Sequence, residues 1–192
     1  MFKFAPLLAY SYAMSFASHN LVDLHKQLVA NIEKGDYGML DLAHHLSAGY
    51  KACYTKITYE GIDLLRQSCG GAGFSAWSGL PTIQTDYAPN TTFEGDNTVL
   101  LQQCAKFIIK NTKNIQRGFK PTGVFSYFNE FETLLSLKCT AKASDDLLCL
   151  NLLENALAIR AAYKIKNTMT KLFTSKSSEN ENVNTLYALD IC

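Results

Sequence analysis

Two runs in the N-terminal third limit what this chain can fold into. Leu7, Tyr10, Met14, Ala17, Leu21, Leu24 and Leu28 recur at alternating steps of three and four, and Leu42, Leu46, Gly49, Cys53, Ile57, Gly61 and Leu64 again step by three and four. Such steps put one residue per turn on one face of an α-helix, so each run predicts a long helix whose apolar seam packs against another helix. Pro6 suits a first-turn position, and Gly35, Asp36 and Gly38 end the first helix in a turn. The second runs from about Met39 to Cys69. Gly49 and Gly61 lie on its seam, where small residues would let another backbone come close, at about 1 kcal/mol each relative to Ala. No strand pattern of any length follows. The expected fold is all-α, a helical bundle.

The rest of the chain reads as helices separated by polar punctuation. Trp77 to Asn90 is expected to be a loop, punctuated by Gly79, Pro81, Asp86, Pro89 and Asn90. A helix after Glu94 runs to about Lys110, with Val99, Leu100, Gln103, Phe107 and Ile108 on one face. Asn111 to Gly123 reads as a linker, which divides the chain into domains at 1–112 and 113–192. Phe125 to Leu137 is ambiguous. Asp145-Asp146 opens a helix with Leu150, Leu153, Leu157, Ala161 and Ile165 along one side. Ser175 to Asn184 is a polar loop, and Leu186 to Cys192 begins a further apolar element.

Composition narrows the function. With 192 residues, 47% hydrophobic and 18% charged, the chain has enough apolar content for a core. A net charge of +1 gives no basis for bulk nucleic-acid binding. None of the six cysteines forms a CxxC pair, so a zinc site is not expected; they fit thiols of a reducing compartment better than a disulfide framework. Phe4 to Val22 carries no formal charge, yet Ser11, Ser15, Ser18, His19 and Asn20 interrupt it and the helical spacing continues past its end, which argues against a membrane span or signal peptide. His44 and His45 are adjacent and face different directions, as helix-surface or hydrogen-bonded residues rather than metal ligands.

The chemistry concentrates in two stretches. Arg66-Gln67-Ser68-Cys69-Gly70-Gly71-Ala72-Gly73-Phe74-Ser75 follows a helix and leads to Ser78-Gly79-Leu80-Pro81. One glycine would suffice to cap the helix; three suggest that something approaches the backbone closely, and free N–H groups in such a turn can cradle a phosphate. It is not a Rossmann fingerprint, because no strand precedes it. The second stretch is Phe93-Glu94-Gly95-Asp96-Asn97-Thr98, just before an apolar helical run. Its ordinary structural reading is an N-terminal cap made by Glu94 and Asp96, where the helix dipole favours negative charge.

Together and in order, these two stretches resemble the C-terminal half of the flavin-dependent acyl-CoA oxidases, within the acyl-CoA dehydrogenase superfamily. The resemblance is densest from about Ala43 to Lys110. It implies an all-α bundle followed by part of a second helical domain. It also implies FAD bound at the interface of a homodimer, with Gly70, Gly71, Gly73 and Phe74 meeting the cofactor's pyrophosphate chiefly through main chain. The implied reaction takes an α-proton and a β-hydride from a fatty acyl-CoA to give a trans-2-enoyl-CoA, and the reduced flavin then turns O2 into H2O2. Glu94 aligns with the family's catalytic glutamate, and Gly95 would leave room beside it for the thioester. A carboxylate near pKa 4.3 is a weak base in water, so burial against the acyl chain would have to raise it. Localisation by resemblance is the peroxisome, with no nucleic acid and no membrane as partner.

The departures are specific. Phe74 stands where the family usually has Tyr, Asp96 where it has Glu, and Ala72 where oxidases often have His. The family's N-terminal helical and central β-domains have no counterpart here, and Asp190-Ile191-Cys192 is not a Ser-Lys-Leu-type signal. The chain is therefore expected to be a piece of an acyl-CoA oxidase that does not turn over substrate alone. The alternatives are a dehydrogenase that passes electrons to a flavoprotein, and a helical remnant without activity.

Overall fold

The computed structural model describes residues 2–116, 118, 120 and 123–174; the expectations for Ser175 to Cys192 lie outside the described residues. Helix α1 spans Phe4–Ile32, α2 Leu40–Ser68, α3 Gly71–Phe74, α4 Leu80–Tyr87, α5 Asn97–Gln116, α6 Phe131–Ser136 and α7 Leu150–Thr174. Four 3-10 segments intervene, at Ala76–Ser78, Ala88–Thr91, Gly123–Glu130 and Ser144–Leu148. The chain is all-α as its periodicity requires, with no strand among the described residues. Two compact units divide between Cys104 and Ala105, inside α5.

In the first unit α2 is the hub, packing on α1, α3, α4 and the Ala88–Thr91 segment. α1 returns antiparallel to it through a turn in which Gly35 takes φ 79° and Asp36 Oδ1 accepts the Gly38 N–H at 2.9 Å. Along the α1 seam Leu7, Met14, Ala17, Leu21 and Leu24 are half-buried and Leu28 is buried, while Tyr10 is exposed. Close approach at the seam glycines is made by side chains rather than by backbone. A Cβ on Gly61 would come within 3.1 Å of Leu7 Cδ2, and one on Gly49 within 3.4 Å of Cys104 Sγ on α5. α1 carries a second apolar face that the seam does not show. Phe4, Leu8, Tyr12 and Phe16, one turn apart, are all exposed.

Three expectations change here. Trp77 to Asn90 is largely helical. Pro81 occupies the first turn of α4, where its missing N–H costs nothing, and Pro89 sits likewise in the next 3-10 turn. The buried face of α5 is centred on Cys104 and Ala105, leaving Val99 and Gln103 exposed. Asn111 to Gln116 continues α5 instead of forming a linker.

The second unit is built on α7. Ile165 and Met169 are buried among Ile108, Ile109, Ile115, Phe125, Tyr127 and Phe131. Phe125 lies 5.6 Å from Phe107 and 6.4 Å from Tyr127, ring centre to ring centre. Asp145 and Asp146 do not open α7 as expected but lie in the separate 3-10 turn Ser144–Leu148, where Asp146 Oδ2 accepts the N–H groups of Lys142 at 2.8 Å and Ala143 at 3.0 Å. The expected α7 stripe divides: Ile165 is buried, but Leu150, Leu153 and Leu157 are exposed.

Candidate functional site

The glycine turn follows from how α2 ends. The Cys69 and Gly70 N–H groups reach back to the carbonyls of Arg66 and Gln67, at 3.1 Å each, and Gly70 takes φ 58°. With ψ −137°, this is a backbone conformation that glycine, lacking a Cβ, can take at little cost. Gly73 is glycine for another reason: a Cβ there would overlap the Arg66 carbonyl oxygen. The group that approaches Gly73 is thus the chain's own backbone. Gly70 and Gly71 have open space where a side chain would begin, and both are exposed. Beside them Phe74 is 81% and Trp77 99% exposed, two aromatic rings left without cover by the described residues.

A polar network fixes this turn to α4. Arg66 donates from Nε to Gln84 Oε1 at 2.7 Å and from Nη2 to Asp63 Oδ1 at 2.6 Å. Gln84 Nε2 and Gln67 Nε2 donate to the same carboxylate at 3.0 and 2.6 Å. The Arg66 guanidinium and these amides hold the Asp63 carboxyl below its ordinary value.

The Glu94 turn is built differently. Asp96 is the helix cap: its Oδ1 accepts the Thr98 N–H at 2.8 Å and the Val99 N–H at 3.4 Å. Glu94, two residues earlier, takes no part in that cap; it stands in left-handed backbone at φ 58° and its side chain is exposed. Gly95 follows at φ 107°, and a Cβ on it would meet Leu100 Cδ2 at 3.1 Å. Lys51 on α2 holds this turn, donating from Nζ to the Gly95 carbonyl at 2.7 Å and to Asn97 Oδ1 at 2.9 Å.

The two stretches lie at separate points along α2. Lys51, which holds the Glu94 turn, and Gly70 are 19 positions apart, about 28 Å at 1.5 Å rise per residue. The two stretches therefore do not converge on a single atom. The apolar cover that a carboxylate base needs is not supplied by the described residues around Glu94. Lys51 and Trp77 carried no motif that would single them out. Lys51 meets Gly95 across 44 residues of sequence, and its only signal was its place on the helix that carries the seam.

The histidines part as their adjacency requires. His44 is exposed, its Nε2 2.9 Å from Gln103 Oε1. Burial, with a smaller contribution from the charge of His44, lowers the pKa of His45 to about 4. The Cys104 thiol donates to the His45 carbonyl at 3.4 Å and is pushed up to about 11 by burial, which makes it a packing group and not a nucleophile. No cluster of three metal-ligating side chains occurs among the described residues, nor is any of their helices long and apolar enough to cross a membrane.

Comparison with known proteins places these features in context. The sequence model of the acyl-CoA oxidase C-alpha1 domain matches residues 1–109. Human peroxisomal acyl-coenzyme A oxidase 1 is 37% identical over 129 residues, covering 67% of this chain and 20% of its own. The mouse protein of the same name is 33% identical over 185 residues, covering 93% and 28%. Among solved structures, Arabidopsis thaliana acyl-CoA oxidase 1 superposes with a TM-score of 0.91 at 30% identity, over 97% of this chain and 28% of that one. An acyl-CoA oxidase from tomato superposes at 0.92 and 31%, over 98% and 29%. The chain thus spans between a fifth and three-tenths of the length of these relatives.

Proposed function

This chain belongs to the acyl-CoA oxidase family, and from that membership we propose that it carries the α-proton acceptor and part of the FAD contacts of a peroxisomal enzyme. That enzyme oxidises a fatty acyl-CoA to a trans-2-enoyl-CoA and reduces O2 to H2O2, the first step of fatty acid β-oxidation. The observation that carries the reading is the backbone of Glu94. A non-glycine residue in left-handed conformation, immediately before a capped helix, is an uncommon arrangement of the kind that concentrates at working sites.

When bound, FAD supplies the hydride acceptor and the centre that reacts with O2. The residues present fit such a group. Gly70 and Gly71 are open and bare of side chains, so a pyrophosphate can come against their main chain, and Phe74 offers an exposed ring beside them. Gly73 supports that cradle by admitting the Arg66 carbonyl behind it. Glu94 takes the α-proton as a carboxylate and is left as a neutral acid, a change that apolar surroundings favour. Gly95 is glycine for its left-handed backbone, with Leu100 taking the space where its Cβ would be, so only its main chain would face the thioester. The cover over Glu94 comes from the acyl chain and from protein outside these 192 residues, since the relatives are more than three times as long.

A homodimer in which the glycine turn serves the partner subunit's cofactor accounts for the separation of the two stretches along α2. We assign residues 1–112 to the bundle that carries both stretches and 113–192 to part of the second helical domain, a partition near the end of the family match over 1–109 but later than the division of the compact units between Cys104 and Ala105. The test of oxidase chemistry is peroxide. The FAD-loaded enzyme carrying this segment, given palmitoyl-CoA under air, releases one H2O2 per enoyl-CoA formed. Electron transfer to an artificial acceptor without H2O2 would place it with the dehydrogenases instead.

A further inference from the structure

We propose that Lys51 is a positioning residue for Glu94, acting through the main chain of Gly95; this rests on the reading of Glu94 as the base. Glu94 is the one non-glycine residue with positive φ among those described, and Gly95 continues the left-handed course. Backbone of that kind persists only where its surroundings over-determine it. Here those surroundings can be named. The Lys51 ammonium bridges the Gly95 carbonyl at 2.7 Å and Asn97 Oδ1 at 2.9 Å. Asn97 is itself fixed to α2, its Nδ2 donating to the Ala52 carbonyl at 3.2 Å and to Thr55 Oγ1 at 2.9 Å. The Thr55 hydroxyl in turn donates to the Lys51 carbonyl at 2.8 Å. On the other side Leu100 fills the space beside Gly95.

The turn is therefore held from α2 by two charge-assisted hydrogen bonds from Lys51, to Gly95 and Asn97, and by the Asn97 amide's own bonds to Ala52 and Thr55, all on residues that follow Glu94. Nothing in this clamp touches the Glu94 side chain in the distances above, so its effect is on where the carboxylate is aimed. The backbone at Glu94 sets the point from which its carboxylate must reach the substrate, so a shift of that backbone moves the carboxylate with it. A misplacement of about 1 Å at a reacting centre can cost about a hundredfold in rate.

The experiment compares Lys51→Met, Lys51→Arg and Glu94→Gln in the FAD-loaded enzyme that carries this segment, following acyl-CoA oxidation and α-proton exchange. Lys51→Met is expected to lower kcat about 10- to 100-fold with KM changed less than about twofold, and Lys51→Arg to restore most of the rate by keeping a cationic donor on the Gly95 carbonyl. An unchanged kcat in Lys51→Met, or a loss expressed in KM alone, overturns the proposal. Should Lys51→Met not give folded enzyme, Asn97→Ala provides the same reading, since it removes the second acceptor of Lys51 and the tie to Thr55. An unchanged kcat there also overturns it. Glu94→Gln separates the two ideas. Exchange that survives this substitution overturns both, whereas exchange lost in Glu94→Gln and kept in Lys51→Met overturns the role of Lys51 alone.

Discussion

The carbonyl oxygen of Arg66, in the last turn of α2, occupies the place where a side chain on Gly73 would begin. The glycine turn is thus folded back on the helix that precedes it, and Gly71, two residues earlier, has only open space around it. One cluster of glycines contains positions with opposite requirements.

That difference is measurable. Gly73→Ala forces the turn away from α2 and is expected to destabilise the chain by about 1–3 kcal/mol, the usual range for overpacking. Gly71→Ala meets nothing and is expected to be neutral, or stabilising by about 0.4–1 kcal/mol through the unfolded state. Thermal unfolding of the two variants distinguishes them. In the FAD-loaded enzyme the Gly71 variant should nonetheless hold FAD less tightly, because its methyl group stands on the open side.

Asp96 caps α5 through two backbone N–H groups. Asp96→Ala is expected to cost about 1 kcal/mol, and Asp96→Asn or Asp96→Ser to recover most of it. Denaturant unfolding of the three variants at neutral pH is the check. An Ala variant as stable as the parent would remove Asp96 from that role.

His45 makes the fold sensitive to acid. Its pKa is about 4 in the folded chain against 6.5 when unfolded, so the folded state binds the proton less readily. Its contribution is fully present above about pH 6.5 and is lost as pH falls towards 4. Over that window the loss from this one group amounts to at most about 3 kcal/mol, at 1.36 kcal/mol per unit. His45→Gln should flatten the dependence of stability on pH between 6.5 and 4. A profile unchanged by the substitution would show that His45 is not its source.

The helices of the first unit were legible because their seams repeat without interruption. Six of the seven α1 seam residues are half-buried or buried, and only Tyr10 turns out exposed. The glycine and Glu94 stretches were legible as motifs. What was hidden depends on groups satisfying themselves locally or at long range. Asn111 and Thr112 look like linker residues, yet their side chains donate to the Phe107 and Ile108 carbonyls at 2.9 Å, so their polarity does not end α5. Pro81 and Pro89 resemble loop punctuation, but each starts a helical turn, where proline is at home. Leu150, Leu153 and Leu157 have the right spacing for a core face and remain exposed, because periodicity shows which residues share a side and not whether anything covers it. The clamp from Lys51 to Gly95 has no local pattern at all.

The central claim is that Glu94 takes the α-proton, and isotope exchange tests it most directly. The FAD-loaded enzyme carrying this segment would be incubated with acyl-CoA deuterated at the α-carbon, and the return of solvent hydrogen to that carbon followed by mass spectrometry. The account predicts exchange in the parent enzyme and none in Glu94→Gln, with substrate binding retained. Exchange at the parental rate in Glu94→Gln would contradict it.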